Sequence, residues 1–113
     1  MIVGQTLFTL DGGFYFSPEF PRGGLAARFA VDVTHLVLAG AMTFDIVVEH
    51  RNREDTSFSS AGSFSGITAT GLATVDLSGL QEIVRFKYGF GGGTPAASDA
   101  AHFLMMAPSW RPC

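Results

Sequence analysis

Two segments of the chain alternate apolar and polar residues with a period of two. The first is residues 42–50 (MTFDIVVEH) and the second is residues 83–90 (IVRFKYGF). Because successive side chains on a strand point to opposite sides, each segment has one apolar and one polar face. The apolar sets are Met42, Phe44, Ile46 and Val48 in the first segment, and Val84, Phe86, Tyr88 and Phe90 in the second. The pattern predicts two strands of an antiparallel sheet with one buried face.

Weaker alternation predicts further strands, separated by glycine, proline and polar turns about every eight to twelve residues. They cover residues 5–10, 14–16, 25–33, 71–77 and 102–107, and residues 57–64 and 66–70 form weaker extended segments with small residues. In residues 71–77 the candidate core members Leu72 and Val75 differ in phase, which indicates a bulge or bend. A helix over residues 36–42 stays open, since short apolar runs are ambiguous. About seven to eight short strands predict an all-β fold, a single-domain antiparallel β-sandwich or small barrel over residues 1–113.

The two ends of the chain are less regular than its middle. An Asp-Gly-Gly link between residues 5–10 and 14–16 fits a hairpin. Residues 17–24 contain two prolines and two glycines, so they form either a loop on the body or an arm that reaches away from it. Residues 1–24 are therefore predicted to be an N-terminal hairpin or arm. Residues 108–113 (PSWRPC) are predicted to be a C-terminal tail outside any sheet.

Aromatic residues are concentrated in these irregular end segments. Tryptophan and arginine are favoured anchors at protein interfaces, and proline lowers the entropy lost when an arm docks. We therefore predict that these residues contact another protein: Phe14, Phe16, Phe20, Pro21, Trp110 and Arg111. The alternative is that the aromatic side chains fold back and cap the ends of the sandwich.

The chain is more apolar than a typical soluble domain of its size. Hydrophobic residues make up 47% and charged residues only 15%, with eleven phenylalanines among 113 residues. Either the core is rich in phenylalanine, or part of the apolar surface is covered by another chain. The formal charge is −3, and the seven basic residues form no run. Since nucleic-acid binding requires a basic footprint, we predict no nucleic-acid partner.

The single cysteine, Cys113, cannot form an internal disulfide, so the fold does not depend on an oxidising compartment. The first residues lack the layout of a signal peptide, and no apolar run is long enough to span a membrane. We expect a protein that folds in a cytoplasm and has no membrane partner.

Motifs for catalysis or cofactor binding are weak throughout. No Gly-x-Ser-x-Gly motif accompanies the serines of residues 57–65, and His35, His50 and His102 lack the closely spaced partners of a zinc site. The glycine run at residues 89–93 is not followed by the lysine and helix of a phosphate loop. We predict no enzymatic activity, no metal and no cofactor.

Six elements follow one another in the second part of the chain: a strand end, an acidic turn, a Ser/Thr-rich stretch, a Gly-Leu turn, a basic-aromatic strand and a final apolar strand. They are Val48-Glu49-His50, Glu54-Asp55-Thr56, residues 57–70, Gly79-Leu80, Arg85-Phe86-Lys87-Tyr88 and residues 102–107. With these elements, roughly residues 42–111 resemble small structural proteins from the virions of tailed bacteriophages.

The resemblance implies a non-enzymatic capsid decoration (cement) protein that docks on the major capsid protein lattice and stabilises the head. It implies a homo-oligomer, with a trimer favoured, and assembly into the virion in the cytoplasm of the bacterial host. A tail or head-to-tail junction component is the alternative within the same class. A glycan-binding β-sandwich, with Trp110 and Tyr15 as stacking platforms, is the alternative from another class.

Overall fold

The computed structural model contains two antiparallel β-sheets packed face to face. It describes residues 3–8, 14–38, 43–91 and 100–111, and within these ranges every regular element is a strand. The strands are β1 (Val3–Phe8), β2 (Tyr15–Phe16), β3 (Phe20–Pro21), β4 (Ala26–Val37), β5 (Thr43–Arg51), β6 (Ser59–Ile67), β7 (Gly71–Ser78), β8 (Ile83–Gly91), β9 (Ala100–Met105) and β10 (Ser109–Arg111).

The strand order of the two sheets is that of a jelly roll. Sheet I runs β1-β9-β4-β7, with β10 pairing the first part of β4 beyond the end of β9. Sheet II runs β2-β8-β5-β6, with β3 beside β2 along the same edge of β8. The pairs β1–β9, β2–β8, β4–β7 and β5–β6 are nested one inside the next, which is the jelly-roll arrangement. The predicted all-β sandwich is confirmed, and the small barrel is not formed.

The inner faces of both sheets supply the core, and the two strongly alternating segments contribute as predicted. Along β5 and β8 every second residue is buried, and β4 and β9 bury their own alternate residues from the opposite sheet. The fully buried larger side chains are Phe29, Val31, Val33, Phe44, Ile46, Val48, Leu80, Val84, Phe86, Tyr88, Phe103 and Met105. Met42, which was predicted to join them, lies outside the described residues.

Aromatic contacts bridge the two sheets at the centre of the core. Tyr88 and Phe44 of sheet II lie 4.8 and 5.0 Å from the ring of Phe103 in sheet I. Phe86 of sheet II meets Phe29 of sheet I edge to face at 5.8 Å. Ring pairs at these separations add stabilisation beyond their buried area. Much of the phenylalanine content therefore serves the core, as one of the two interpretations of the composition proposed.

The prediction of a bulge in β7, with Leu72 as a core residue, is wrong. The pairing of β7 with β4 is continuous, and Ala73, Val75 and Leu77 face inwards while Leu72 is 67% exposed. The irregularities lie elsewhere: β4 has an extra residue, Thr34, against β9, and β6 has two register shifts against β5. Because residues 71–77 include small residues, the sequence pattern alone did not decide which alternate residues face the core. The continuous pairing with β4 decides it.

Two predictions for the chain ends are wrong, and residues 17–24 follow one of the two alternatives given for them. The first strand and Tyr15–Phe16 do not form a hairpin, because β1 pairs with β9 in sheet I and β2 pairs with β8 in sheet II. Residues 17–24 lie on the body, where β3 occupies a sheet edge that tolerates Pro21. The C-terminal tail is not outside the sheets, since Ser109–Arg111 pairs with β4. Residues 36–38 belong to or follow a strand, and residues 39–42 lie outside the described ranges.

Candidate protein interface

Two phenylalanine rings stand on the outer face of sheet II. Tyr15 lies opposite Tyr88, whose side chain is buried, so its neighbours Phe14 and Phe16 project outwards. Phe14 is 56% exposed and Phe16 is 49% exposed. Such exposure of two rings so close together is unusual for a surface that contacts only water.

Cations from the neighbouring strands hold these rings in place. The Arg85 guanidinium lies over two rings, with Cζ 4.1 Å from the centroid of Phe16 and 3.9 Å from that of Phe58. The Lys87 ammonium lies 4.2 Å from the centroid of Phe14. Contacts of this geometry are attractive and fix both the cation and the ring. We call this set the aromatic–cation cluster, and its members are Phe14, Phe16, Phe58, Arg51, Arg85 and Lys87.

Two carboxylates complete the charge arrangement beside the cluster. Glu49 accepts a hydrogen bond from Nε of Arg85 at 2.9 Å, and its side chain is only 13% exposed. Glu19 lies 3.5 Å from Nη2 of Arg51, whose Nη1 also donates to backbone carbonyls of the loop after β5. Both arginines are therefore positioned by several contacts rather than extended freely into solvent.

A shallow depression of about 630 Å³ lies next to the cluster. The two cluster arginines, Phe58 and the hydroxyl side chains of residues 56–57 form part of its wall. Glu19 and Asp55 add two acidic groups. One oxygen of the Asp55 carboxylate already accepts a hydrogen bond from the backbone N–H of Asn52. The depression offers both donors and acceptors next to an apolar ring.

Phe20 and Trp110 have a different environment, at the end of the sandwich. Phe20 lies 5.5 Å from the ring of Phe86 and 6.4 Å from Trp110. Trp110 also meets Phe29 edge to face at 6.1 Å, so it packs against the buried core. For these two residues the geometry is that of a cap, the alternative considered for the aromatic side chains.

Two glycines make the close approach of the C-terminal strand possible. A Cβ atom on Gly23 would lie 2.6 Å from Cδ1 of Trp110, and a Cβ on Gly24 would overlap the carbonyl oxygen of Arg111. The same Gly-Gly pair that predicted an irregular segment therefore admits the indole ring and the backbone of β10.

Pro21 and Arg111 are both exposed but lie in different places. Pro21 is on the edge strand β3, opposite Ile83, and lines a second depression of about 310 Å³ with Phe20 and Arg53. Arg111 is on the outer side of β10 beside Ala26. The six residues predicted to form an interface are thus divided between the face of sheet II, the capped end and the outer side of sheet I.

Of the three histidines considered for catalysis and metal binding, His35 and His102 lie opposite each other on β4 and β9, whereas His50 is on β5 of the other sheet. Thr34 donates its hydroxyl proton to the His102 carbonyl, so the ring nitrogen Nδ1 of His102, 3.1 Å away, acts as the donor to that hydroxyl. Nδ1 of His50 accepts a hydrogen bond from the backbone N–H of Gln81, and burial lowers the pKa of this imidazole. Within the described ranges no three His, Cys, Asp or Glu side chains cluster as a metal site would require, and no helix of membrane-spanning length and hydropathy occurs.

Comparisons with known proteins add no identification. A scan against protein-family models finds no match to this chain. A search of curated proteins likewise finds no significant match. The resemblance to virion proteins therefore stays a prediction.

Sequence reasoning missed the central members of the cluster, namely Arg85, Lys87 and Phe58. Arg85 and Lys87 were assigned to the solvent face of β8, and that assignment agrees with the structure. What the pattern did not give is that Phe16 lies opposite Lys87, with Arg85 two residues further along β8 on the same face. The available signal was the alternation of two cations along one strand, but the strand that would pair with it was unknown.

Proposed function

We propose that this chain is a non-enzymatic structural protein of a virion, most simply a capsid decoration protein that docks on the major capsid protein. The outer face of sheet II, with Phe14 and Phe16, is the docking surface. The observation that carries the proposal is the pair of half-exposed phenylalanines, each held by a cation on a rigid sheet. Exposed apolar groups of this kind are typical of interaction sites.

The fold is compatible with this role. Jelly rolls recur in viral capsid and lectin domains, and they tolerate large changes in surface residues. Because one fold hosts many functions, the topology alone carries little weight, and the argument depends on the surface.

A preordered surface also lowers the cost of docking. Arg85 is fixed by Glu49 and by two rings, so few rotamers are lost when a partner covers it. Each immobilised long side chain otherwise costs about 0.5–1.5 kcal/mol on binding. A modest contact of this type suits a protein bound in many copies, because multivalent attachment multiplies weak individual affinities. A homo-oligomer, with a trimer favoured by the resemblance, would provide that multivalency.

The test uses purified virion shells assembled without this protein. Wild-type protein and the double variant Phe14→Ala/Phe16→Ala would be mixed with the shells and separated by sedimentation. We expect the double variant to bind at least about tenfold more weakly, since two truncated anchors together cost more than about 1.4 kcal/mol. Leu72→Ala is the matched control, because Leu72 is also apolar and even more exposed than the two phenylalanines but lies on sheet I. Equal binding by both variants would remove sheet II from the proposal, and no binding by the wild type would reject the decoration role.

The alternative within the virion is decided by copy number. Hundreds of copies per particle are expected for a protein of the shell, whereas six or a small multiple of six would indicate the tail axis. The glycan-binding alternative depended on Trp110 and Tyr15 as stacking platforms. Both are partly buried and packed against the core, so the two residues on which this alternative depended do not support it.

A further inference from the structure

Two arginines on opposite outer faces show how differently their donors are used. On sheet I, Arg28 donates from Nε and from Nη2 to the two oxygens of Asp76, at 2.8 and 3.1 Å. This bidentate pairing satisfies the side of the guanidinium that best matches a carboxylate, and it lowers the pKa of Asp76. Arg28 is therefore already occupied by a partner from its own chain.

On sheet II, the guanidinium of Arg85 is only half used. Its Nε donates to Glu49, but Nη1 and Nη2 have no hydrogen-bond acceptor among the residues that the structure describes. Contacts with the rings of Phe16 and Phe58 help to hold the group in this position. A fixed guanidinium with two unused N–H₂ groups is a preformed site for a carboxylate.

Lys87 is the second unsatisfied cation of the cluster. The residues directly opposite it on the adjoining strands are Val47 and Phe16, neither of which is charged, and the diagonal neighbour on β5 is Asp45. No described side chain forms an ion pair or hydrogen bond with its ammonium group, which lies over the ring of Phe14. Lys87 and Arg85 are two residues apart on one strand, so both point to the same side about 7 Å apart.

We propose that the aromatic–cation cluster recognises carboxylate side chains of a partner protein, with Arg85 and Lys87 as donors and the adjacent phenylalanine rings as apolar contacts. This inference rests on the proposed function and specifies the chemistry of its partner surface: two aspartates or glutamates spaced as on one strand, next to an apolar residue.

The surrounding charges favour carboxylates on a protein over a highly charged ligand. Glu19, Glu49 and Asp55 lie at the same face, and Asp45 is on the outer side of β5, so four carboxylates accompany the three cations of the cluster. A polyanion would gain little long-range attraction from a surface with no excess of positive charge. A carboxylate instead needs two parallel donors at short range, which Arg85 retains, together with apolar contact area, which Phe14 and Phe16 provide.

The test uses the intact protein and two matched tripeptides, acetyl-Glu-Phe-Glu-amide and acetyl-Gln-Phe-Gln-amide, followed by amide chemical shifts in NMR titrations. The glutamate peptide is expected to shift the signals of Phe16, Phe58, Arg85 and Lys87. The glutamine peptide is expected to cause roughly fivefold smaller shifts at the same concentration, since charge-assisted hydrogen bonds are about twice as strong as neutral ones.

Three variants assign any effect to the donors. Arg85→Gln and Lys87→Gln should each remove most of the response to the glutamate peptide, whereas Arg28→Gln on sheet I should leave it unchanged. Lys87 is on the solvent face and makes no hydrogen bond within the described chain, so its variant stays informative even if Arg85→Gln disturbs the fold.

Equal shifts with both peptides, or an undiminished response in Lys87→Gln, would overturn the inference. If a second copy of the chain covers the cluster instead, neither peptide will shift these signals and Arg85→Gln will lower the oligomeric mass, which also overturns it. These outcomes are separate from the shell-binding assay, because shells can bind through the phenylalanines with no requirement for carboxylates.

Discussion

The aromatic side chains at the two irregular ends of the chain have opposite environments. Phe20 and Trp110 pack against Phe86 and Phe29 and close the end of the sandwich. Phe14 and Phe16, only a few residues from Phe20, stand outside sheet II with half of their surface exposed. The difference arises from register: Phe20 lies opposite Val84, which is buried, whereas Phe16 lies opposite Lys87, which faces solvent. Aromatic residues that are close together in the sequence therefore do not all share one structural role.

Truncating a capping ring should give the largest effect on stability. We expect Trp110→Ala and Phe20→Ala each to lower the free energy of unfolding by about 2–3 kcal/mol, because each leaves a cavity against buried rings. Phe14→Ala should cost less than about 1 kcal/mol, since it removes one exposed ring and a cation–π contact. Urea denaturation of the three variants measures the contrast. Similar losses for Trp110 and Phe14 would show that the division into cap and display surface is wrong.

Two glycines allow the same comparison without removing a ring. Gly24→Ala should destabilise the protein by about 1–3 kcal/mol, because its Cβ would overlap the Arg111 carbonyl oxygen and β10 must shift. Gly89→Ala would place a Cβ 2.5 Å from Cδ1 of Phe14, which is an atom of an exposed side chain and not of the backbone or the core. Its cost in stability should be smaller, and its main effect should be weaker binding to shells as Phe14 is displaced. A larger loss of stability for Gly89→Ala would contradict this order.

A fully buried ring provides a further comparison with the capping and the exposed rings. Tyr88 is completely buried, and its hydroxyl forms no hydrogen bond of regular geometry within the described chain. Burial raises the pKa of that hydroxyl, and an interaction with the Ser17 side chain offsets part of the rise. Tyr88→Phe should therefore be neutral or stabilising by up to about 1 kcal/mol, since it removes an unsatisfied buried group and leaves the ring contacts. Thermal denaturation tests this, and a marked loss of stability would reveal a hydrogen bond that supports the core.

The core strands were predictable because their pattern is local. The alternation in residues 42–50 and 83–90 identified the buried faces, since burial on a strand is decided by parity alone. The topology was not predictable in this way. Nothing in residues 14–21 indicates that they pair with β8, about seventy residues later, and the cluster exists only because of that pairing.

The prediction for the C-terminal segment was wrong for a related reason. Two prolines flank Ser109–Arg111, and proline argued against any sheet in that segment. The three residues between the prolines are nevertheless sufficient to pair with the free part of β4, and Gly23 and Gly24 open the space that Trp110 and the β10 backbone occupy. The pairing of two distant segments therefore outweighs the local effect of the prolines.

A change of pH should have the smallest effect on the free energy of unfolding. That effect should arise at the capped end of the sandwich and not at the aromatic–cation cluster. His50 lies opposite Val84, the residue that also faces Phe20 from the other side. Its Nδ1 accepts a hydrogen bond from Gln81, and burial lowers its pKa from the usual value near 6.5. The neutral form is therefore favoured by folding. The stabilisation is fully present above pH 6.5, and it is lost as the pH falls below that value, because the unfolded chain then binds more protons.

The expected loss between pH 7.5 and 5 is below about 1 kcal/mol, since His50 is partly exposed and solvent screens the effect. Urea denaturation across this range would measure it, with His50→Gln as the control, because glutamine presents an oxygen acceptor that does not titrate. The variant should flatten the pH dependence. An unchanged slope would assign the titration to another group and would leave the capped end without a pH-sensitive contact at His50.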